Sequence, residues 1–501
     1  MIPDDEFVLS RKRRSGFRLA CALATAFALC SPAAVAHELL LHYDLPIPFD
    51  LYLYACAGVL VVTFALLGWF MRMPTTVTGS ALPPVAEREP VARLPGWALK
   101  FLRGTALALL ALTMGAAFFA TRDPDRNISE LLFWLFFLLG LTYATAVIGD
   151  LYALANPWKT LVDWMRRPLG TLSRPRFVYP PWLGYWPSLV LYVALIWIEL
   201  FQLQKPRVLG VMLLVYSLIM LAGVWLYGKA AWFRYGDFFG VFLRIIGMLS
   251  PVAYRPTANG ESVSVSLRPP FVGALKERAE NMSMVVFVLF MLAATTYDGM
   301  HQTIFWMGLY YNHLLSMLHP LWGTDLLAAQ VVLEKWFVVY LRVGLVLFPF
   351  FYLAIYLGVL CLVKLLTKTS LSVRTLALEF AYSIVPIALV YNIAHYLTLL
   401  LVRIPTLPFF ITDPFGLNWN PFGFDYPRGE PPRLDMAIVW HTEVALILIG
   451  HLISVYLAHR VALRLFPTRR EAMVSQLPML LLMVTYTIVG LWVISLPFAL
   501  T

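Results

Sequence analysis

Long apolar runs constrain the fold of this 501-residue chain more than any other feature. Hydrophobic residues make up 60% of the sequence and charged residues 13%, about half the charged fraction of a soluble domain. Such runs form helices in lipid, because every backbone polar group must be satisfied internally. The sequence predicts an all-α polytopic membrane protein with ten spans, at about 51–70, 98–120, 130–152, 186–204, 208–228, 283–301, 338–365, 375–402, 437–465 and 475–498.

The N-terminal region has the order of a secretory signal peptide. Four basic residues at 11–14 precede a short apolar run at 19–29, and the small residues at 34–36 follow. The apolar run is too short to span a bilayer, and the small residues are typical of a cleavage site. We therefore expect residues 1–36 to be removed by cleavage after Ala36.

Cleavage there makes His37 the first residue of a mature chain, 37–501, which we predict to be a single helical membrane domain. A free N-terminal histidine offers its α-amine and its imidazole together as a bidentate chelate. His37 is therefore a candidate metal ligand.

The positive charges alternate between loops. Basic residues concentrate in every second loop, at Arg72, Arg166, Arg234, Arg374 and Arg469 among others. By the positive-inside rule these loops face the cytoplasm. The mature N- and C-termini are then periplasmic, in a bacterial inner membrane. This distribution explains the net charge of +10 without nucleic acid as a partner.

Ionisable side chains inside spans are the default functional candidates, since each costs about 2.5–3.5 kcal/mol at a helix centre. Asp298 and His301 share one helix face at the end of the sixth span. His395 lies about two turns below the outer end of the eighth span. The ionisable residues predicted in the outer half of the membrane, or at its outer surface, are His37, Glu199, Asp298, His301, His395, His441 and Glu443.

Imidazoles combined with carboxylates are typical of a catalytic zinc or a similar divalent ion. Such an ion lowers the pKa of bound water to about 7 and so supplies hydroxide. The sequence predicts a divalent metal, zinc or copper, with His37, Asp298, His301, His395 and His441 as ligands. The candidate catalytic carboxylates are Asp298, Glu199 and Glu443.

Other polar residues have structural interpretations. Asp150 could cap a helix, and His459 could hydrogen-bond a neighbouring helix near the inner face. Glu379 could pair with Arg374. Pro386 is expected to loosen the helix of the eighth span just below the turn that carries His395.

Six pieces of the chain carry a family resemblance. They are AHELLLHYDLPIPFDLYLYACAGVLVVTFALLGW (36–69), ANPWKTL (155–161), DGMHQT (298–303), SIVPIALVYNIAHYLTLLL (383–401), DPFG (413–416) and GHLISVYLAHRVAL (450–463). Together they resemble bacterial integral-membrane proteins of the fenitrothion hydrolase family. The resemblance implies hydrolysis of an organophosphorus triester and a related membrane subunit as partner. Members carry an acidic residue after the AH of the ninth span, where this chain has Arg460.

Three functions are compatible with these patterns. The first is metal-dependent hydrolysis of phosphate or thiophosphate triesters at the outer face of the membrane. The second is transport of a small solute, or a channel for one, which requires polar residues that continue from one face toward the other, through His451 toward His459 and Asp150. The third is a metal-handling or haem-binding respiratory protein, in which His395 and His441 could be axial haem ligands.

Overall fold

The computed structural model describes residues 48–70, 90–166, 175–201, 205–257, 262–314, 326–417, 419, 421–423 and 434–495. The predicted signal peptide and His37 lie outside these residues. The helices are α1 Phe49–Phe70, α2 Gly96–Phe119, α3 Ile128–Ile148, α4 Leu151–Ala155, α5 Pro157–Arg166, α6 Trp186–Phe201, α7 Pro206–Tyr227, α8 Lys229–Tyr235, α9 Phe238–Gly247, α10 Gly273–Lys276, α11 Met282–His301, α12 Ile304–Leu309, α13 Leu326–Thr367, α14 Val373–Phe380, α15 Val385–Arg403, α16 Leu407–Thr412, α17 Met436–Leu465 and α18 Arg469–Ser495.

The predicted all-α polytopic membrane fold is confirmed. Within the described ranges, nine helical segments are long and apolar enough to cross a membrane, and they correspond to nine of the ten predicted spans. The fourth predicted span is the 16-residue helix α6, which reaches about 24 Å at 1.5 Å per residue.

Helix α11 is the centre of the bundle. Every residue from Ser283 to His301 is buried, as expected of a helix that is apolar all round. Helices α6, α13 and α15 pack against it. The last turn of α11, which carries Asp298, is therefore enclosed by protein on all sides.

Two spans next to this turn depart from regular α-helix. Residues Ala381–Ile384 form a 3₁₀ turn, and α15 begins after it with Pro386 in its first turn, which is a favourable position for proline. The eighth predicted span is therefore interrupted by this turn just before Pro386, and the loosening expected there stays a prediction. In α3, Leu131–Gly140 is π-helical, a wider geometry that is frequent at functional sites.

Contacts between loops agree with the predicted alternation of the spans. Arg403 contacts Asp125 at 2.7 Å, joining two segments predicted to be outside. Lys229 contacts Asp163 at 2.6 Å, joining two segments predicted to be inside. We call these two ends of the bundle the predicted outer end and the predicted inner end.

Cysteine labelling will assign these ends to the two sides of the membrane. In a chain without its four native cysteines, we expect Asp125→Cys to react with a membrane-impermeant maleimide added to spheroplasts. Asp163→Cys should react only after the membrane is opened. Reaction of both positions from the same side would overturn the predicted topology.

A small antiparallel sheet lies at the predicted inner end. It is formed by β1 Ala92–Leu94, β2 Val252–Pro256 and β3 Val263–Leu267, in the order β1-β3-β2. It joins the segment before α2 to the segment after α9. The sequence signal was the alternation VSVSL in β3, which is too short to predict a strand alone.

Asp237 organises a second buried network toward the predicted inner end. Its carboxylate accepts hydrogen bonds from Asn156 Nδ2 and from the Tyr216 hydroxyl, both at 2.7 Å, and from Gly240 N at 3.2 Å. Burial raises the pKa of Asp237, while these hydrogen bonds lower it by a smaller amount. The bond to Gly240 N caps α9. Asn156 belongs to the ANPWKTL piece, so that piece has a structural role here.

The other structural interpretations have mixed outcomes. Asp150 caps α4 by accepting a hydrogen bond from Ala153 N at 2.9 Å. His459 Nδ1 lies 2.9 Å from the Gln476 amide on α18, as expected of a helix-to-helix bond. The expected Glu379–Arg374 pair is wrong: Glu379 binds Arg464 and Arg278. Residues five apart lie on different faces of a helix.

Candidate functional site

Asp298 is held between α6 and α15 inside the bundle. Its side chain is 8% exposed, and that of Glu199 on α6 is 5% exposed. His395 and Tyr396 on α15 join these two carboxyl groups into one hydrogen-bonded set. We call Glu199, Asp298, His395 and Tyr396 the Asp298 cluster. A carboxyl group at this depth is costly unless polar partners satisfy it, which makes the cluster a candidate functional site.

His395 pairs directly with Asp298. Its Nε2 lies 2.8 Å from Asp298 Oδ2. An ionised carboxylate can only accept a hydrogen bond, so the imidazole donates to it through Nε2, which leaves Nδ1 for other contacts. A Cβ at Gly299 would lie 3.6 Å from that Nδ1 and 2.9 Å from Val493 Cγ1. The glycine thus lets α11 approach α15 and α18 closely at the cluster.

Tyr396 bridges the two carboxyl groups. Its hydroxyl oxygen lies 2.9 Å from Glu199 Oε1 and 3.0 Å from Asp298 Oδ2. Both distances are normal for hydrogen bonds between oxygens. The two acidic residues are therefore joined through a single hydroxyl group.

His301 lies one turn beyond Asp298 on α11. Its Nδ1 lies 2.8 Å from the Asp298 carbonyl oxygen and 4.0 Å from Asp298 Oδ1. Its Nε2 lies 3.2 Å from the Gln302 amide nitrogen. The ring also stacks on Tyr297, with the centroids 5.7 Å apart. Both ring nitrogens are therefore occupied by neighbours on the same helix end.

The predicted site residues on α17 have other partners. His441 Nε2 lies 3.1 Å from the Tyr52 hydroxyl on α1, and its Nδ1 lies 2.6 Å from the Ala437 carbonyl. Glu443 is buried in the same helix. His37 lies outside the described residues. Of the predicted set, the structure thus brings Asp298, His395 and Glu199 together, with His301 adjacent.

The described donors do not fit a preformed metal centre. Among the residues placed in the structure, no group of three His, Cys, Asp or Glu side chains is arranged to hold a metal ion. His301 and His441 each use both ring nitrogens for hydrogen bonds, and His395 directs Nε2 at Asp298. The zinc or copper ion stays a prediction, to be checked by metal analysis of the purified protein.

A cavity leads from the predicted outer end to the cluster. It encloses about 1020 Å³, counting its open mouth. Exposed Asp125 and Lys205 lie at its rim, and Glu199 and Tyr396 lie at its inner end. Between them the wall is mostly apolar and includes the π-helical part of α3. We call this space the first cavity.

A second cavity lies on the other side of Glu199 and Tyr396. It encloses about 480 Å³, and Asp298, Thr142, Thr295 and Asn392 contribute to its wall. Glu199 and Tyr396 line both cavities. Glu199 and Tyr396, together with Leu138 and Leu139, are therefore the residues that the walls of the two cavities share.

Polar groups continue beyond the second cavity. Phe238 and Phe242 of α9 line its wall, and Asp237 with its hydrogen-bonded network directly precedes Phe238. One buried acidic residue, Asp298, thus lines the second cavity, and another, Asp237, directly precedes a residue of its wall. This succession differs from the predicted one, which ran through His451.

The sequence interpretation missed Tyr396 and Asn392. Asn392, His395 and Tyr396 are spaced three and four residues apart along α15, which places them along one side of the helix. Asn392 Oδ1 also accepts a hydrogen bond from Tyr143 of α3 at 3.1 Å. The sequence signal for these two residues was the row of polar side chains in YNIAHY. A search restricted to ionisable residues does not detect it, because asparagine is not ionisable and tyrosine was not counted.

Comparisons of the chain with protein-family models, with curated proteins and with solved structures found no match.

Proposed function

We propose that the chain is a transporter of a small solute, with the solute site in the first cavity and the Asp298 cluster at its inner end. One observation carries the proposal: Glu199 and Tyr396 line both cavities. Intramembrane ionisable groups mark substrate and ion pathways by default. Glu199 and Tyr396 lie where a solute pathway would pass from the first cavity to the second.

The lining of the first cavity indicates the class of solute. Leu131, Leu135, Leu139 and Phe410 provide apolar wall, while Glu199 offers a polar group at the inner end. Sites of this kind bind organic molecules through an apolar body and a few placed polar contacts. We therefore propose an organic solute with an apolar body and a hydrogen-bonding group that meets Glu199 or Tyr396.

Hydrolysis of a phosphorus triester is the second candidate, and the Asp298–His395 pair favours it. An imidazole held by a carboxylate can act as a general base. Water would attack phosphorus while His395 takes its proton, and the phosphorus bond to the leaving group would break. The products are a diester anion, an alcohol and one proton. Transport is preferred because the carboxyl-bearing residue Glu199 and the hydroxyl-bearing residue Tyr396 line both cavities.

One experiment separates the two candidates. Purified protein in proteoliposomes is given a nitrophenyl dialkyl phosphate under an imposed pH gradient, and the lumen is analysed by mass spectrometry. We expect intact ester to accumulate above its level in protein-free vesicles. Release of nitrophenol without accumulation would favour the hydrolase, and neither result would reject the triester as a ligand of this chain.

A further inference from the structure

The number of protons in the Asp298 cluster follows from its geometry. Tyr396 has one hydroxyl proton but lies at hydrogen-bond distance from two carboxyl oxygens, 2.9 Å from Glu199 and 3.0 Å from Asp298. An ionised carboxylate can only accept a hydrogen bond. For both contacts to be hydrogen bonds, one of the two carboxyl groups must carry a proton.

The partners of the two carboxyl groups decide which of them is protonated. Asp298 Oδ2 also faces His395 Nε2 at 2.8 Å, so it is placed to accept from two donors. Glu199 has Tyr396 as its hydrogen-bond partner, and no Lys or Arg of the described residues pairs with it. A buried carboxylate without a cation or a second donor is costly in a membrane. These contacts place the proton on Glu199 and the negative charge on Asp298.

We propose that Glu199, Tyr396 and Asp298 form a proton relay between the two cavities, with Glu199 holding the proton at rest. In one step Glu199 gives its proton to the Tyr396 oxygen while Tyr396 gives its hydroxyl proton to Asp298 Oδ2. Glu199 becomes a carboxylate, Asp298 becomes a neutral acid, and Tyr396 stays a neutral phenol. The starting arrangement returns when Asp298 releases its proton to the second cavity, the Tyr396 hydroxyl rotates back toward Asp298, and Glu199 takes up a proton from the first cavity.

The relay connects the two cavities because of where its ends lie. Glu199 and Tyr396 line both cavities, Asp298 lines only the second, and the rim of the first cavity carries Asp125, Lys205 and the nearby Arg403. A proton that enters from the predicted outer end can thus pass from Glu199 through Tyr396 to Asp298, in the wall of the second cavity. The coupling of this proton to solute movement rests on the proposed function; the relay itself does not.

Infrared spectroscopy of the purified protein tests the relay without any solute. At neutral pH we expect the carbonyl stretch of a protonated carboxylic acid, and ¹³C labelling of glutamate carboxyl groups should shift it while labelling of aspartate should not. Glu199→Gln should remove this band. Tyr396→Phe should move it, because the acid loses its hydrogen-bond acceptor.

Two matched variants control the assignment. Glu280→Gln removes a carboxylate that is paired with Arg234 at 2.6 Å and should leave the band unchanged. Glu130→Gln identifies any band from the other glutamate on the first cavity. The absence of a band that shifts with glutamate label and that Glu199→Gln removes would overturn the relay. Solute accumulation in vesicles would still test the transporter separately.

Discussion

Replacing Asp298 by asparagine is expected to reduce transport by about 100-fold or more, the scale at which a positioned proton-transfer group contributes to a rate. Asparagine keeps the size of the side chain, and its amide oxygen can still accept a hydrogen bond from His395 or Tyr396. It cannot receive the proton that the relay delivers. Initial rates of solute accumulation in proteoliposomes measure the effect.

Asp163→Asn is the control for this variant. Asp163 lies at the predicted inner end, where it pairs with Lys229, and its side chain is 48% exposed. We expect transport at the unmodified rate. If Asp298→Asn folds, as judged by thermal unfolding in detergent, and transports as fast as this control, Asp298 has no role in the process.

Asp237→Ala is expected to lower the free energy of unfolding by on the order of 3 kcal/mol, because it leaves buried donors unsatisfied. Asn156, Tyr216 and Tyr152 all direct polar groups at this carboxylate, and α9 loses its N-terminal cap. Thermal unfolding in detergent, followed by circular dichroism, should show a clearly lower midpoint. Because α9 supports the wall of the second cavity, transport should fall with stability.

Asp163→Ala again provides the comparison. It removes an exposed ion pair, and such pairs contribute about 0–1 kcal/mol. Its unfolding midpoint should stay close to that of the unmodified protein. An equally small effect of Asp237→Ala would mean that water replaces the carboxylate in the network.

The membrane spans were predictable from sequence because their signal is local. Each span is a continuous apolar run whose length is set by the bilayer, and nine segments appear where the runs lie. Helix α6 likewise lies where the fourth span was predicted. The sheet was missed because strand pairing between residue 92 and residue 265 is a contact distant in sequence.

The candidate site was predictable only in part. Asp298, His395 and Glu199 were found because ionisable residues are rare in spans. Their arrangement depends on the packing of α6, α11 and α15, which hydrophobic patterns do not specify. His441 was expected at the same site because its predicted depth in the membrane is similar. Depth does not specify which helices a side chain faces, and the His441 ring contacts Tyr52 instead.

A pH step applied to proteoliposomes on a solid-supported membrane tests the central role of the Asp298 cluster most directly. The measurement needs no knowledge of the solute, since it records the charge displaced when protons enter or leave the protein. We expect a transient current in the unmodified protein that is retained in Glu280→Gln and strongly reduced in both Tyr396→Phe and Glu199→Gln. Equal currents in all four proteins would contradict the assignment of proton movement to this cluster.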